Sequence, residues 1–187
     1  MKGNVYHSST QSGLKVIKPH ISTHKKKWVY ATKDKVTSAI FLSGYGGDYV
    51  CGTGVVNDKP YICERFNGAF DLRYKDKSGT IYELPGTNFI PKRTSWSAEV
   101  VSDKEEKPIR EIDVKDAKRY LLGLVEKGEL TIYYYPNRPK GIIPDDDSDL
   151  VAKVFNWYRG GDIEALNSLE KFHPNLVPSV KKKLDLE

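Results

Sequence analysis

Long apolar runs are missing from this chain of 187 residues. The longest of them, such as Ala39–Leu42, extend over only a few residues, whereas a membrane-spanning helix needs about 20. The residues after Met1 become polar again at His7, so we expect no signal peptide. These absences predict a water-soluble, cytoplasmic protein that has no membrane partner.

Cysteine is also scarce, since the chain contains only Cys51 and Cys63. The two could pair across a hairpin, but without a secretion signal we favour two reduced thiols in the core. No second cysteine or histidine stands at zinc-ligand spacing from either, so we predict no metal site. The 12 Tyr, 6 Phe and 3 Trp supply large surfaces for burial. They are typical of one folded domain over residues 1–187 and not of a disordered chain.

Positive charge is concentrated near the start of the sequence. The net charge is +5, and residues 1–35 hold eight lysines and one aspartate. Lys25–Lys27 is the densest cluster. It is either a solvated loop or a cationic rim that attracts a phosphate-bearing ligand or nucleic acid.

Residues 1–112 are predicted to form a β-rich core with one short helix. Apolar residues at helical spacing place that helix over 33–42. A hairpin over 49–66 is expected to turn at Asn57–Lys59. The remaining strands are predicted at Val5–His7, Leu14–Ile17, Trp28–Ala31, Phe70–Tyr74 paired with Thr80–Leu84, Ser97–Ser102 and Arg110–Val114.

Residues 113–187 are predicted to form one strand and a mostly helical extension. Asp113 can cap a helix over 114–127, and a strand follows at 130–135. Three aspartates, Asp145–Asp147, precede a helix over 149–158, where the helix dipole favours acidic residues. Asp162 can cap a third helix. Strands followed by helices indicate an α+β fold.

Three polar groups stand out in chain order. The first group is Tyr6–Ser9, in which His7 stands where the chain is expected to leave the first strand. Trp28–Thr32 contains Tyr30, and Ser38–Phe41 begins eight residues after that tyrosine. Ser97–Glu99 places an acid on a late strand, where alternation puts Ser97 and Glu99 on the same face.

This order resembles the His-Tyr-Glu pattern of the ADP-ribosyltransferase superfamily, in its diphtheria-toxin-like and poly(ADP-ribose) polymerase branch. The resemblance covers about residues 4–102 and assigns the three roles to His7, Tyr30 and Glu99. It implies a split, mostly antiparallel sheet that binds NAD, with Ser38 and Phe41 among the NAD-binding residues. The stretches at 28–32 and 96–102 are also similar to small bacterial or phage proteins.

The resemblance implies cleavage of NAD at the nicotinamide–ribose bond and transfer of ADP-ribose to an acceptor of unknown class: protein, nucleic acid or small molecule. A carboxylate at Glu99 would stabilise the oxocarbenium-like ribose, and Tyr30 would stack on nicotinamide. His7 would hold the ribose hydroxyls of the adenosine side, and Ser8 or Ser9 could bind the nicotinamide amide.

Two alternatives remain open. Ser8 stands where the family has glycine, and Trp28-Val29 precede Tyr30 without the usual glycine. These departures favour a non-catalytic module on the same scaffold, which would recognise nucleic acid or protein through Lys25–Lys27 and exposed aromatic residues. Transfer of an RNA 2′-phosphate to NAD ranks third, because no arginine lies near His7 in the sequence. Glu64 and Glu83 compete with Glu99 for the acidic role.

Overall fold

The computed structural model describes residues 1–21, 26–94 and 96–186. Within these ranges the strands are β1 (Asn4–Ser9), β2 (His20–Ile21), β3 (Lys27–Thr32), β4 (Cys51–Val56), β5 (Lys59–Glu64), β6 (Gly79–Pro85), β7 (Ile90–Pro91), β8 (Glu99–Ser102), β9 (Arg110–Val114) and β10 (Thr131–Tyr133). The α-helices are α1 (Lys35–Ala39), α2 (Gly47–Val50), α3 (Ala69–Tyr74), α4 (Ala117–Glu126), α5 (Ser148–Arg159), α6 (Glu164–Phe172) and α7 (Val177–Lys183). Helix accounts for 34% and strand for 27% of the described residues, and the sheet is mostly antiparallel, so the predicted α+β class is confirmed.

The larger sheet has the order β7-β8-β3-β1-β6-β9, and β2 pairs with β3 outside this path. Every pairing recorded in it is antiparallel. A second sheet has the order β10-β5-β4. Its β4–β5 hairpin turns at Asn57 and Asp58, as the sequence predicted, and both residues have positive φ.

The larger sheet is divided between β1 and β3. β1 pairs with β6 along its whole length, from Asn4 to Ser9. Between the described strands β1 and β3, by contrast, Tyr6 and Thr32 are the only paired residues. The other end of β3 pairs with β2 instead, where His20 lies opposite Trp28. We call the place where β1 and β3 diverge the split.

The residues fall into two compact units. The sheet unit comprises Met1–Gly44, Val55–Pro60 and Tyr74–Thr131, and the helical unit comprises Tyr45–Gly54, Tyr61–Arg73 and Ile132–Glu187. The core cluster of the sheet unit consists of Val5, Ile17, Val29, Ala31, Tyr82, Leu84, Phe89 and Val100. The core cluster of the helical unit comes from α5, α6 and α7, which agrees with the predicted helical C-terminal third. The expectation of a single domain, with a division near residue 112, stays a prediction.

One predicted hairpin is wrong. Residues 70–74 alternate in polarity like a strand but form α3, and β6 pairs with β1 and β9. The helix is favoured because Phe70 and Tyr74, four residues apart, are both buried. The carboxylate of Glu64 also accepts a hydrogen bond from the Phe70 backbone N–H at 2.7 Å.

Three local predictions also need correction. Residues 14–17 form no strand, and Ile17 makes only an isolated bridge with Glu106. Asp113 lies inside β9, and the cap of α4 is Asp116, whose carboxylate accepts from the Arg119 N–H at 2.9 Å. Asp162 does not cap α6, because the N-cap position is Ile163, which makes no side-chain cap.

Candidate functional site

His7 lies in β1 at the point where the split opens. Its Nδ1 is 2.7 Å from the carbonyl oxygen of Tyr30 on β3. Because a carbonyl only accepts, Nδ1 carries the hydrogen of this bond. Burial lowers the pKa of His7 below its usual value, and proximity to His20 lowers it further, although the bond to Tyr30 opposes both. The imidazole is therefore neutral near pH 7, and Nε2 is left as an acceptor.

Tyr30 and Glu99 lie on one face of neighbouring strands. Glu99 is the Cα partner of Thr32, and Val101 is the partner of Tyr30. Opposite residues of an antiparallel pair share a face, as do residues two apart along a strand. Burial raises the pKa of the Tyr30 phenol, and the negative charge of Glu99 raises it further. The structure thus brings these two predicted residues together.

The register places the His7 side chain on the other face. Since Tyr6 pairs with Thr32, Tyr6 shares the face of Tyr30, and His7 alternates away from it. The His7 ring lies 6.4 Å from the ring of Tyr82, which belongs to the core cluster of the sheet unit. The His7 imidazole contacts the backbone carbonyl of Tyr30. The strand register does not bring the His7 side chain to Glu99.

Ser8 and Ser38 contact each other directly. The Ser8 hydroxyl donates to the Ser38 carbonyl at 2.7 Å, and the two hydroxyl oxygens are 2.8 Å apart. Ser38 therefore donates its own proton to Ser8. Ser9 is not part of this pair, because its hydroxyl accepts a hydrogen bond from the Gln11 backbone N–H.

Phe41 follows α1 in a short 3-10 turn and remains 38% exposed. Its ring makes an edge contact with Trp96, at a centroid distance of 5.6 Å. The carbonyl of Trp96 accepts a hydrogen bond from the Glu99 backbone N–H at 3.1 Å. Phe41 is thereby tied to the start of the glutamate strand. Trp96 was not among the predicted site residues, although it stands three positions before Glu99 in the sequence.

The rival acids have other partners. Glu64 is buried, and its two oxygens accept from the backbone N–H groups of Phe70 and Tyr135. That pattern is structural, because both oxygens fix the local backbone. Glu83 accepts a hydrogen bond from the Asn4 side chain at 2.5 Å. Of the predicted cationic cluster, Lys26 and Lys27 are exposed, and Lys25 lies outside the described residues.

The helical unit contains an ion-pair network that no sequence pattern indicated. The fully buried guanidinium of Arg65 donates to Asp147 at 2.8 Å and to Asp149 at 2.7 and 2.9 Å. Arg138, whose side chain is 2% exposed, also binds Asp147 at 2.8 Å. From the sequence, Asp147 was expected only to interact favourably with the dipole of the following helix. Both cysteines are free and buried.

The described residues contain neither a cluster of metal ligands nor a membrane-spanning helix. No group of three or more His, Cys, Asp or Glu among them could hold a metal ion. Over the same residues, no helix has the length and apolar character required to cross a membrane. Comparison with protein-family models, curated proteins and solved structures gave no match to this chain.

Proposed function

We propose that the chain binds NAD at the split and transfers its ADP-ribose group to an acceptor. The observation that carries this proposal is that Tyr30 and Glu99 share one face of the adjacent strands β3 and β8. β1, β3 and β8 lie side by side and carry His7, Tyr30 and Glu99, the residues that the sequence resemblance selected.

Glu99 supplies the charge that this reaction needs. When the nicotinamide–ribose bond breaks, its electron pair leaves with the nicotinamide nitrogen, and positive charge develops on the ribose. A carboxylate beside that carbon stabilises the charge. The acceptor nucleophile then bonds to the same carbon, and its proton passes to Glu99. Tyr30, on the same face, presents an aromatic ring to the flat nicotinamide.

His7 is suited to hold a neutral hydroxyl. Its Nδ1–H is fixed by the Tyr30 carbonyl, so the ring orientation is set before the ligand arrives. The free Nε2 can accept a hydrogen bond from a ribose hydroxyl. Because the His7 side chain alternates to the face opposite Glu99, the ligand would have to enter the split to meet both residues.

A second candidate is a binding module that does not cleave NAD. The Ser8–Ser38 pair favours it, because the two hydroxyls already satisfy each other where a carboxamide would have to bind. Exchanging these hydrogen bonds for bonds to the ligand offsets much of the gain, since each is worth about 1 kcal/mol net. A serine side chain in place of glycine also holds the ligand further from the backbone.

The proposal is tested by comparing the rate at which nicotinamide is released from NAD by the Glu99→Gln variant and by the unaltered chain. We expect the substitution to lower the rate by about 100-fold or more, as loss of one transition-state contact does in other enzymes, and to leave the dissociation constant for NAD within a few-fold. Glu83→Gln is the matched control and should retain the parent rate.

The outcomes separate the two candidates. If the parent binds NAD and releases no nicotinamide, the transferase proposal is wrong and the binding module is favoured. If the parent shows no NAD binding at millimolar concentration, both candidates fail at this site. Equal rates for Glu99→Gln and the parent would remove Glu99 from the chemistry.

A further inference from the structure

A row of three rings lies along the β3 face that carries Tyr30. His20 is the Cα partner of Trp28, and Trp28 and Tyr30 stand two residues apart on one strand. The His20 and Tyr30 ring centroids are 5.7 Å apart, and those of Trp28 and Tyr30 are 6.1 Å apart. His20 is exposed, whereas Trp28 and Tyr30 are half-buried. We call His20, Trp28 and Tyr30 the ring row.

Opposite charges flank the ring row. At one end lie the exposed Lys26 and Lys27, and at the other end lies Glu99, near Tyr30. Among the described residues, Lys26 has no ion-pair partner, and Lys27 alternates to the face of β3 opposite Trp28. The cationic end is therefore open to an anionic group, while Glu99 repels one.

The length of the row indicates what fits it. Glu99 is in register with Thr32, four residues along β3 from Trp28. At about 3.3 Å per residue, these positions are roughly 13 Å apart along the strand. A ligand that reaches Glu99 and also stacks on Trp28 is therefore an extended molecule, and two rings joined by a linker have the required length.

We propose that the ring row is the subsite for the adenylate half of the dinucleotide. Adenine stacks on Trp28, and the adjoining phosphate binds His20, while Lys26 and Lys27 add long-range attraction. This inference rests on the proposed function, since it assigns the other half of NAD to Tyr30 and Glu99. The carboxylate of Glu99 disfavours a longer nucleic acid strand, because its next phosphates would approach that negative charge.

The test measures binding of AMP and of nicotinamide mononucleotide by calorimetry, so that each half of NAD is probed separately. Trp28→Ala should weaken AMP binding about tenfold or more, in line with the loss of one base-stacking contact. His20→Ala should also weaken AMP binding, because the phosphate loses its partner, and both variants should leave nicotinamide mononucleotide binding unchanged. Trp28→Phe retains a ring and should retain AMP binding, which covers the case that the alanine variant does not fold. The control is Lys18→Ala, which removes a charge two positions from His20 that pairs with Glu105 at the surface.

Several results would overturn the inference. These are absence of AMP binding to the parent at about 10 mM, equal AMP affinity in the parent and both ring-row variants, or a competing single-stranded oligonucleotide whose affinity grows with its length. Glu99→Gln should leave AMP binding unchanged. If the parent releases no nicotinamide but its AMP binding still depends on Trp28, the transfer reaction is refuted and the nucleotide subsite is retained.

Discussion

Replacement of Arg65 by methionine tests whether the ion-pair network stabilises the helical unit. The Arg65 side chain is fully buried, and its guanidinium binds Asp147 and Asp149. Its Nε also donates to the carbonyl of Asp48. Methionine fills much of the same volume but leaves these acceptors without their main donor.

The magnitude follows from the partners that remain. Breaking a buried ion pair by removing one member costs about 3–5 kcal/mol. Asp147 keeps Arg138 at 2.8 Å, and Asp149 keeps Lys153 at 3.2 Å. Because each aspartate retains a cation, we expect the lower end of that range, about 3 kcal/mol. Arg65→Lys keeps the charge and loses the forked geometry, so it should cost about 2 kcal/mol.

Urea unfolding followed by far-UV circular dichroism measures both changes. The control is Lys115→Ala, because Lys115 and Asp113 form a pair whose lysine is 86% exposed. Exposed pairs contribute at most about 1 kcal/mol. If Arg65→Met changes the free energy of unfolding no more than this control does, the network is not a stabilising element and the reasoning is refuted.

Two further predictions concern the sheet unit. Burial lowers the pKa of His7, so the unfolded chain binds more protons and stability should fall as the pH drops below the usual histidine value of 6.5. His7→Asn, which keeps a donor for the Tyr30 carbonyl, should lose less stability between pH 7 and pH 5 in urea titrations. An unchanged pH dependence would contradict the assignment. Gly86→Ala should destabilise by about 1–3 kcal/mol, because the new Cβ would lie 2.5 Å from the Gly3 carbonyl oxygen. Gly123→Ala, inside α4 with open space around it, should instead stabilise by up to about 1 kcal/mol, and thermal melts that show the same sign for both would refute the steric argument.

Local sequence patterns were sufficient where neighbours in the chain decide the conformation. The β4–β5 turn is specified by Asn57 and Asp58, which tolerate positive φ. The helix predicted over 33–42 begins at Lys35, because the Asp34 carboxylate accepts from the Thr37 N–H at 2.7 Å. The order of His7, Tyr30 and Glu99 was likewise visible in the sequence alone.

The tertiary structure decided what depends on distant partners. Residues 70–74 have the alternation of a strand, but burial of Phe70 and Tyr74 and the Glu64 carboxylate stabilise a helix there. No local pattern could show that Arg65 reaches Asp147, 82 positions away. Strand adjacency has the same origin: β3 lies between β1 and β8 because burial of Val5, Val29 and Val100 on one face selects that pairing. The sequence thus determined which residue types were available, and long-range packing determined that Tyr30 meets Glu99 while His7 turns to the opposite face.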